Sequence, residues 1–322
     1  MKKYKVLILG YPVKSINEIK HCLNMMWWNI NESLKLLKDE IEIVSESYDP
    51  KFVQYGSPNV YKTSNHLFVK EYINDIPMVD YIILGTLDCF YTEEIMVLLR
   101  TKCKKIFSFL EIGEPADFSF IYTDNYYRQK KENCKILPAP YGNFYTNVEK
   151  EKNSILFDHS AYLDSPIYTS PAYKAMEMTD KLLTWAEDLK NEYKIYTLLY
   201  GFSQKEAVMK ILPPFIQPIE QTNMAEYLNL TNKMETFIIT HKGSYNLSVI
   251  DMLVRGMRII TPKEYIPKYN IDLFNIPTYS DKESFLKEIR KPVDAEYWNK
   301  QIEKCTSIEK MAQAFLEKFR DG

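Results

Sequence analysis

His241, Lys242, Gly243, Ser244, Tyr245, Asn246, Ser248 and Asp251 crowd into one stretch between two apolar runs. An imidazole, an ammonium, three hydroxyls and an amide gathered around a glycine are groups that hold a phosphate ester, and a carboxylate one turn later accepts hydrogen bonds from sugar hydroxyls. The loop empties into a helix start, where unpaired amides and the helix dipole favour negative charge. Asp251 has an alternative partner in Arg255, four residues on along the same helix. Three further groups follow buried strands, where open α/β sheets place their chemistry: Asp88, Glu111 and His159. The two carboxylates are candidate general bases, and the histidine a candidate phosphate or sugar contact. Glu111 directly follows the longer apolar run and is the better base.

Positioning these groups requires a strand at 237–240, a helix at about 247–255, a glycine stop at Gly256 and a second strand at 257–261 closed by Pro262. That is a β-loop-α-β unit. Similar units recur along the chain. Apolar runs at 5–10, 41–44, 81–85 and 105–110 read as strands of a first sheet, and 154–157, 194–200 and 214–219 as strands of a second. Ser15 caps a helix with apolar residues from Ile16 to Leu37, Glu93 to Arg100 is helical, and Ser280 or Asp281 caps a helix ending before Pro292. Residues 295–320 read as one amphipathic helix. Polar residues 143–153 form a linker between two α/β arrays.

At 322 residues the chain is long for one core and suits two domains. Its 46% hydrophobic and 26% charged residues are those of a soluble globular protein. The Met-Lys-Lys start leads into a strand rather than a signal sequence, and no apolar run is long enough to span a bilayer, so a cytoplasmic protein is expected. Five scattered cysteines and four histidines offer no zinc-ligand spacing. The first strand lacks a Gly-x-Gly-x-x-Gly turn, which argues against a dinucleotide cofactor. Basic stretches at 100–105 and 128–131 suit phosphates, yet residues 1–150 hold 19 basic and 19 acidic side chains and are neutral overall.

The ordered set His241, Gly243, Asn246, Ser248, Asp251, Gly256 and Pro262 resembles the donor-sugar motif of GT-B glycosyltransferases, roughly His-x-Gly, Ser-x-x-Glu, Gly-x-Pro. The step from Asp251 to Gly256 matches; the step from histidine to acid is longer than in the plant-type motif, and the acid is Asp in place of Glu. Residues 106–115, 120–124 and 136–138 are similar to the N-terminal half of bacterial and phage GT-B enzymes, phage DNA glucosyltransferases included.

The resemblance implies an α/β fold of two Rossmann-like domains facing each other across a crevice: an acceptor domain at 1–150, a nucleotide-sugar domain at 151–292, and a C-terminal helix at 293–322 packing back on the first domain. It implies a glycosyltransferase using a nucleotide sugar, by default a UDP-sugar, with no tightly bound metal. The loop 241–246 with Ser248 would hold the diphosphate, and Asp251 the ribose. Retaining members often carry a second acid eight positions before the first; here that position is Gly243, which implies inverting displacement with Glu111 or Asp88 as base. The acceptor expected is a glycan or small molecule. Alternatives are a modified base in phage DNA and a nucleotide-sugar-binding protein without turnover.

Overall fold

Continuous apolar runs need cover on both faces, and the computed structural model supplies it in two parallel sheets. The structure describes residues 3–10, 22–46, 74, 76–85, 93–110, 116–121, 134–136, 140–141, 149–157, 184–199, 212–220, 224–239, 247–263 and 275–321. The chain divides into two units: Met1–Ile16, His21–Gly142 and Thr306–Gly322 form the first, Asn17–Lys20 and Asn143–Cys305 the second.

The first unit contains β1 (Tyr4–Gly10), α1 (Cys22–Lys35), β2 (Ile41–Glu46), β3 (Val79–Gly85), α2 (Glu93–Arg100), β4 (Cys103–Leu110), β5 (Phe118–Ile121), β6 (Cys134–Ile136) and β7 (Pro140–Tyr141). Its sheet runs β2-β1-β3-β4-β5-β6, every neighbouring pair parallel. Alternate residues face opposite ways. Leu7, Leu9, Ile82, Leu84 and Ile106 pack with Met96 and Leu99 of α2. Tyr81, Phe107 and Phe120 face the other way, toward Phe315 and Phe319. Ser15, the expected helix cap, lies outside the described residues.

The second unit contains β8 (Ser154–Phe157), β9 (Lys194–Leu199), β10 (Ile216–Glu220), α3 (Met224–Thr231), β11 (Thr236–Ile238), α4 (Leu247–Val254), β12 (Arg258–Pro262), β13 (Thr278–Tyr279), α5 (Lys282–Arg290) and α6 (Ala295–Ile302). Its order is β10-β9-β8-β11-β12-β13, all parallel. Counted within the unit this is third, second, first, fourth, fifth, sixth, the order of a Rossmann sheet. Pro218, which has no N–H to donate, sits on the edge strand β10, where its loss costs the ladder least. Ile155, Phe157, Ile195, Ile238 and Ile260 pack against Phe285 and Ile289 of α5. Asp281 caps that helix, its carboxylate accepting the Ser284 N–H at 2.8 Å while the Ser284 hydroxyl accepts from the Asp281 N–H.

The expected single helix over 295–320 is two. Between α6 and α7 (Ile308–Arg320) the chain turns extended as β14 (Thr306–Ser307), which pairs in parallel with β7. Asp294 caps α6, accepting the Tyr297 N–H at 3.1 Å, and Ser307 caps α7, accepting the Lys310 N–H at 3.2 Å. The physical reason for the break is this second cap: a serine whose side chain bonds the backbone ahead of it starts a helix rather than continuing one. α6 belongs to the second unit and α7 to the first. In the first unit Phe319 stacks on Tyr81 at 4.7 Å, Phe315 meets Phe120 edge-on at 5.3 Å, and the Tyr81 hydroxyl donates to the Phe319 carbonyl at 2.8 Å.

Candidate functional site

In the second sheet the strand order reverses between β8 and β11, which pair with Phe157 opposite Ile238. Open α/β sheets bind ligands outside the carboxyl ends of strands at such a switch point. The segment after β8 begins with Asp158 and His159; the one after β11 carries residues 241–246 and ends where α4 starts at Leu247. Backbone topology therefore starts both candidate segments from adjacent strand ends. His159, His241, Lys242, Gly243, Ser244, Tyr245 and Asn246 themselves lie outside the described residues. Ser248 lies in the first turn of α4.

α4 ends as the spacing predicts. Gly256 has φ +71°, the left-handed conformation that glycine adopts without strain. Its N–H donates to Leu253 O at 2.8 Å and the Met257 N–H donates to Met252 O at 3.0 Å. These two bonds make a Schellman stop, and the chain turns directly into β12.

Asp251 is 9% exposed and Arg255 4% exposed. The guanidinium donates to Asp251 Oδ2 at 2.5 Å and, through its other terminal nitrogen, to the Thr231 hydroxyl at the end of α3. The i,i+4 partner left open by the sequence is thus present. Beneath the pair, half-buried Lys150 donates to the Arg255 carbonyl at 2.5 Å and to the Asn232 carbonyl at 2.6 Å, tying together the ends of α3 and α4. Thr231 and Lys150 carried no signal in the sequence, because each meets Arg255 only through the fold.

Burial, and then the neighbouring Arg255 charge, lower the Lys150 amine to about 8 from its ordinary 10.5. Between those values the unfolded chain holds a proton that the folded chain has released, so the contribution of Lys150 to stability rises with pH across that window. Urea midpoints at pH 8 and 9 are expected to show wild type gaining stability relative to Lys150→Met. A constant difference between the two proteins would refute this.

In the first sheet Glu111 directly follows β4, and Asp88 follows β3, the strand hydrogen-bonded beside it with Leu84 opposite Ser108. Asp88 and Glu111 lie outside the described residues. The basic stretch 100–105 is partly neutralised: Arg100 pairs with Asp117 at 3.3 Å and Lys104 with Asp80 at 2.6 Å. Residues 128–131 lie outside the described residues. Among the described residues no group of three or more His, Cys, Asp or Glu side chains that could hold a metal occurs, and no helix is long and apolar enough to cross a membrane.

No protein-family model matches the chain, and no curated protein does either. Solved structures do. Anabaena Alr3699/HepE, determined with UDP and glucose, is similar at a TM-score of 0.59 and 10% identity over 99% of this chain and all (100%) of that one. A Listeria monocytogenes protein described as a putative UDP-N-acetylglucosamine 2-epimerase is similar at 0.57 and 12% identity, over 100% and 98%. The pneumococcal O-GlcNAc transferase GtfA, determined with UDP and GlcNAc, is similar at 0.54 and 12% identity over 79% of this chain; the match spans 59% of that longer protein. Together with the two parallel sheets, these likenesses give the chain the fold of two Rossmann-like domains found in GT-B glycosyltransferases.

Proposed function

We propose that the chain is a nucleotide-sugar-dependent glycosyltransferase whose donor binds the second unit at the β8/β11 switch point. The observation that carries this reading is the Rossmann strand order of the second sheet, with the polar sequence 241–246 lying between the end of β11 and the start of α4. Structural neighbours that hold UDP support the donor class. In this reading Lys242, Ser244, Ser248 and the loop amides meet the charge that builds on the leaving diphosphate. His159 and His241, which follow the adjacent strands β8 and β11 in sequence, would contact the phosphate or sugar, and Asp251 accepts from the ribose.

The reaction is an inverting displacement. The acceptor hydroxyl oxygen bonds the anomeric carbon, the bond from that carbon to the β-phosphate oxygen breaks, and the nucleoside diphosphate leaves with the electron pair. Glu111 takes the hydroxyl proton, with Asp88 as the competing base. A glycan or small molecule is the acceptor this reading favours, since Arg100 and Lys104 already have carboxylate partners in the stretch that a nucleic acid would need.

A thermal-shift screen of nucleoside diphosphates tests the donor. A ligand present at 100 times its Kd raises stability by about 2.7 kcal/mol and lifts the melting temperature accordingly. UDP is expected to give the largest shift, and no shift with any nucleoside diphosphate would refute the reading. Incubation with UDP-glucose or UDP-GlcNAc should then release UDP slowly. Appearance of an epimerised nucleotide sugar would replace transfer by epimerisation, and binding with no turnover in the presence of acceptors would leave a binding protein.

A further inference from the structure

Arg255 is too enclosed to be a surface charge and too well anchored to be incidental. Side chains on a helix lean toward its N-terminus, so the Arg255 guanidinium rises one turn along α4 and meets the Asp251 carboxylate from below. An acid four residues before a base is also the favourable order for such a pair. Thr231 receives the other arm of the fork, and Lys150 fixes the Arg255 carbonyl at 2.5 Å. The side chain is therefore held at its tip and at its backbone by three separate parts of the second unit: the end of α3, the residues before β8, and α4 itself. Gly256 ends the helix at the next residue, which leaves α4 no further turn in which to shift.

We infer that Arg255 is a positioning residue for the nucleotide site: it fixes the direction of the Asp251 carboxylate so that Asp251 can accept hydrogen bonds from the ribose hydroxyls of a nucleoside diphosphate. This rests on the proposed donor reading and adds a residue to it. A carboxylate taken this far out of water is stabilised by a cation beside it, and removing that cation is costly. Arginine suits the task where lysine does not, because its planar fork donates in two fixed directions, here to a carboxylate and a hydroxyl at once. An ammonium donates from one point and lacks the two fixed, separated directions of the fork.

The test compares UDP with 2′,3′-dideoxy-UDP by calorimetry, because a purely structural role for Arg255 would change stability without changing the preference between these two ligands. Wild type is expected to prefer UDP by about 10-fold or more, the value of a hydrogen bond to a charged group. Asp251→Asn should reduce that preference to about 3-fold or less, and Arg255→Met should do the same with Asp251 still present. Arg255→Lys, which keeps the charge and loses the fork, should fall between, and it serves as the reading variant if Arg255→Met does not fold. Full ribose preference in Arg255→Met, or in Arg255→Lys where that is the variant read, together with its loss in Asp251→Asn, overturns the role of Arg255 and leaves the ribose role of Asp251 standing. Full preference in Asp251→Asn, or no preference in wild type, overturns the ribose reading itself and this inference with it.

Discussion

Glu111→Gln is expected to lower glycosyl transfer by about 10²- to 10⁴-fold while leaving donor affinity within about twofold of wild type, the pattern of a lost general base. The carboxamide keeps the size of the side chain and loses the ability to accept the acceptor proton. The expectation rests on position. β4 spans Cys103–Leu110, so Glu111 leaves the carboxyl end of a central strand, where α/β sheets present reactive groups. Asp88 leaves the adjacent strand β3 but stands further along the chain from its end at Gly85, so its placement owes less to the sheet. Steady-state assays with UDP-sugar and acceptor, set beside calorimetry of UDP, separate the two effects. Equal turnover in Glu111→Gln and wild type would move the base to Asp88, and a parallel loss of UDP affinity would make Glu111 a donor contact instead.

Strands buried on both faces were the most legible part of the chain. Residues 154–157 read as a strand and are one with every residue buried, and 81–85 falls within β3. Helix ends marked by charge or glycine were legible too: α2 runs from Glu93 to Arg100 as the sequence suggests, and Gly256 stops α4. The break before Ser307 was not. Trp298 and Ile302 share one helical face and Ile308, Met311, Phe315 and Phe319 another, so the six-residue step between Ile302 and Ile308 marks the break only faintly while the Ser307 cap makes it. At the site the spacing from Asp251 to Arg255 was visible, and so was the pair it allows. How Arg255 is held was not, because Thr231 and Lys150 come from elsewhere in the chain.

Asp251→Ala is expected to lower the unfolding free energy by about 3–5 kcal/mol, the cost of stripping one partner from a buried ion pair. Loss of a ribose contact would cost only about 1–3 kcal/mol, and only when nucleotide is bound. The larger figure follows from what remains. The Arg255 side chain is 0% exposed, and Asp251→Ala takes away the carboxylate to which its guanidinium donates at 2.5 Å. Replacing both residues, Asp251→Ala with Arg255→Met, removes the buried cation together with its carboxylate and should recover most of the loss, because exchanging a whole buried pair for apolar groups is often neutral. Urea unfolding of wild type, both single variants and the double variant closes the cycle, and a single variant within about 1 kcal/mol of wild type would show that the pair is not the buried bridge its geometry indicates. The same result governs how the donor site is probed. Asp251→Ala would confound weak nucleotide binding with unfolding of the second unit, whereas Asp251→Asn keeps a hydrogen-bond acceptor against Arg255 and so gives up less of the buried bridge while withdrawing the carboxylate charge.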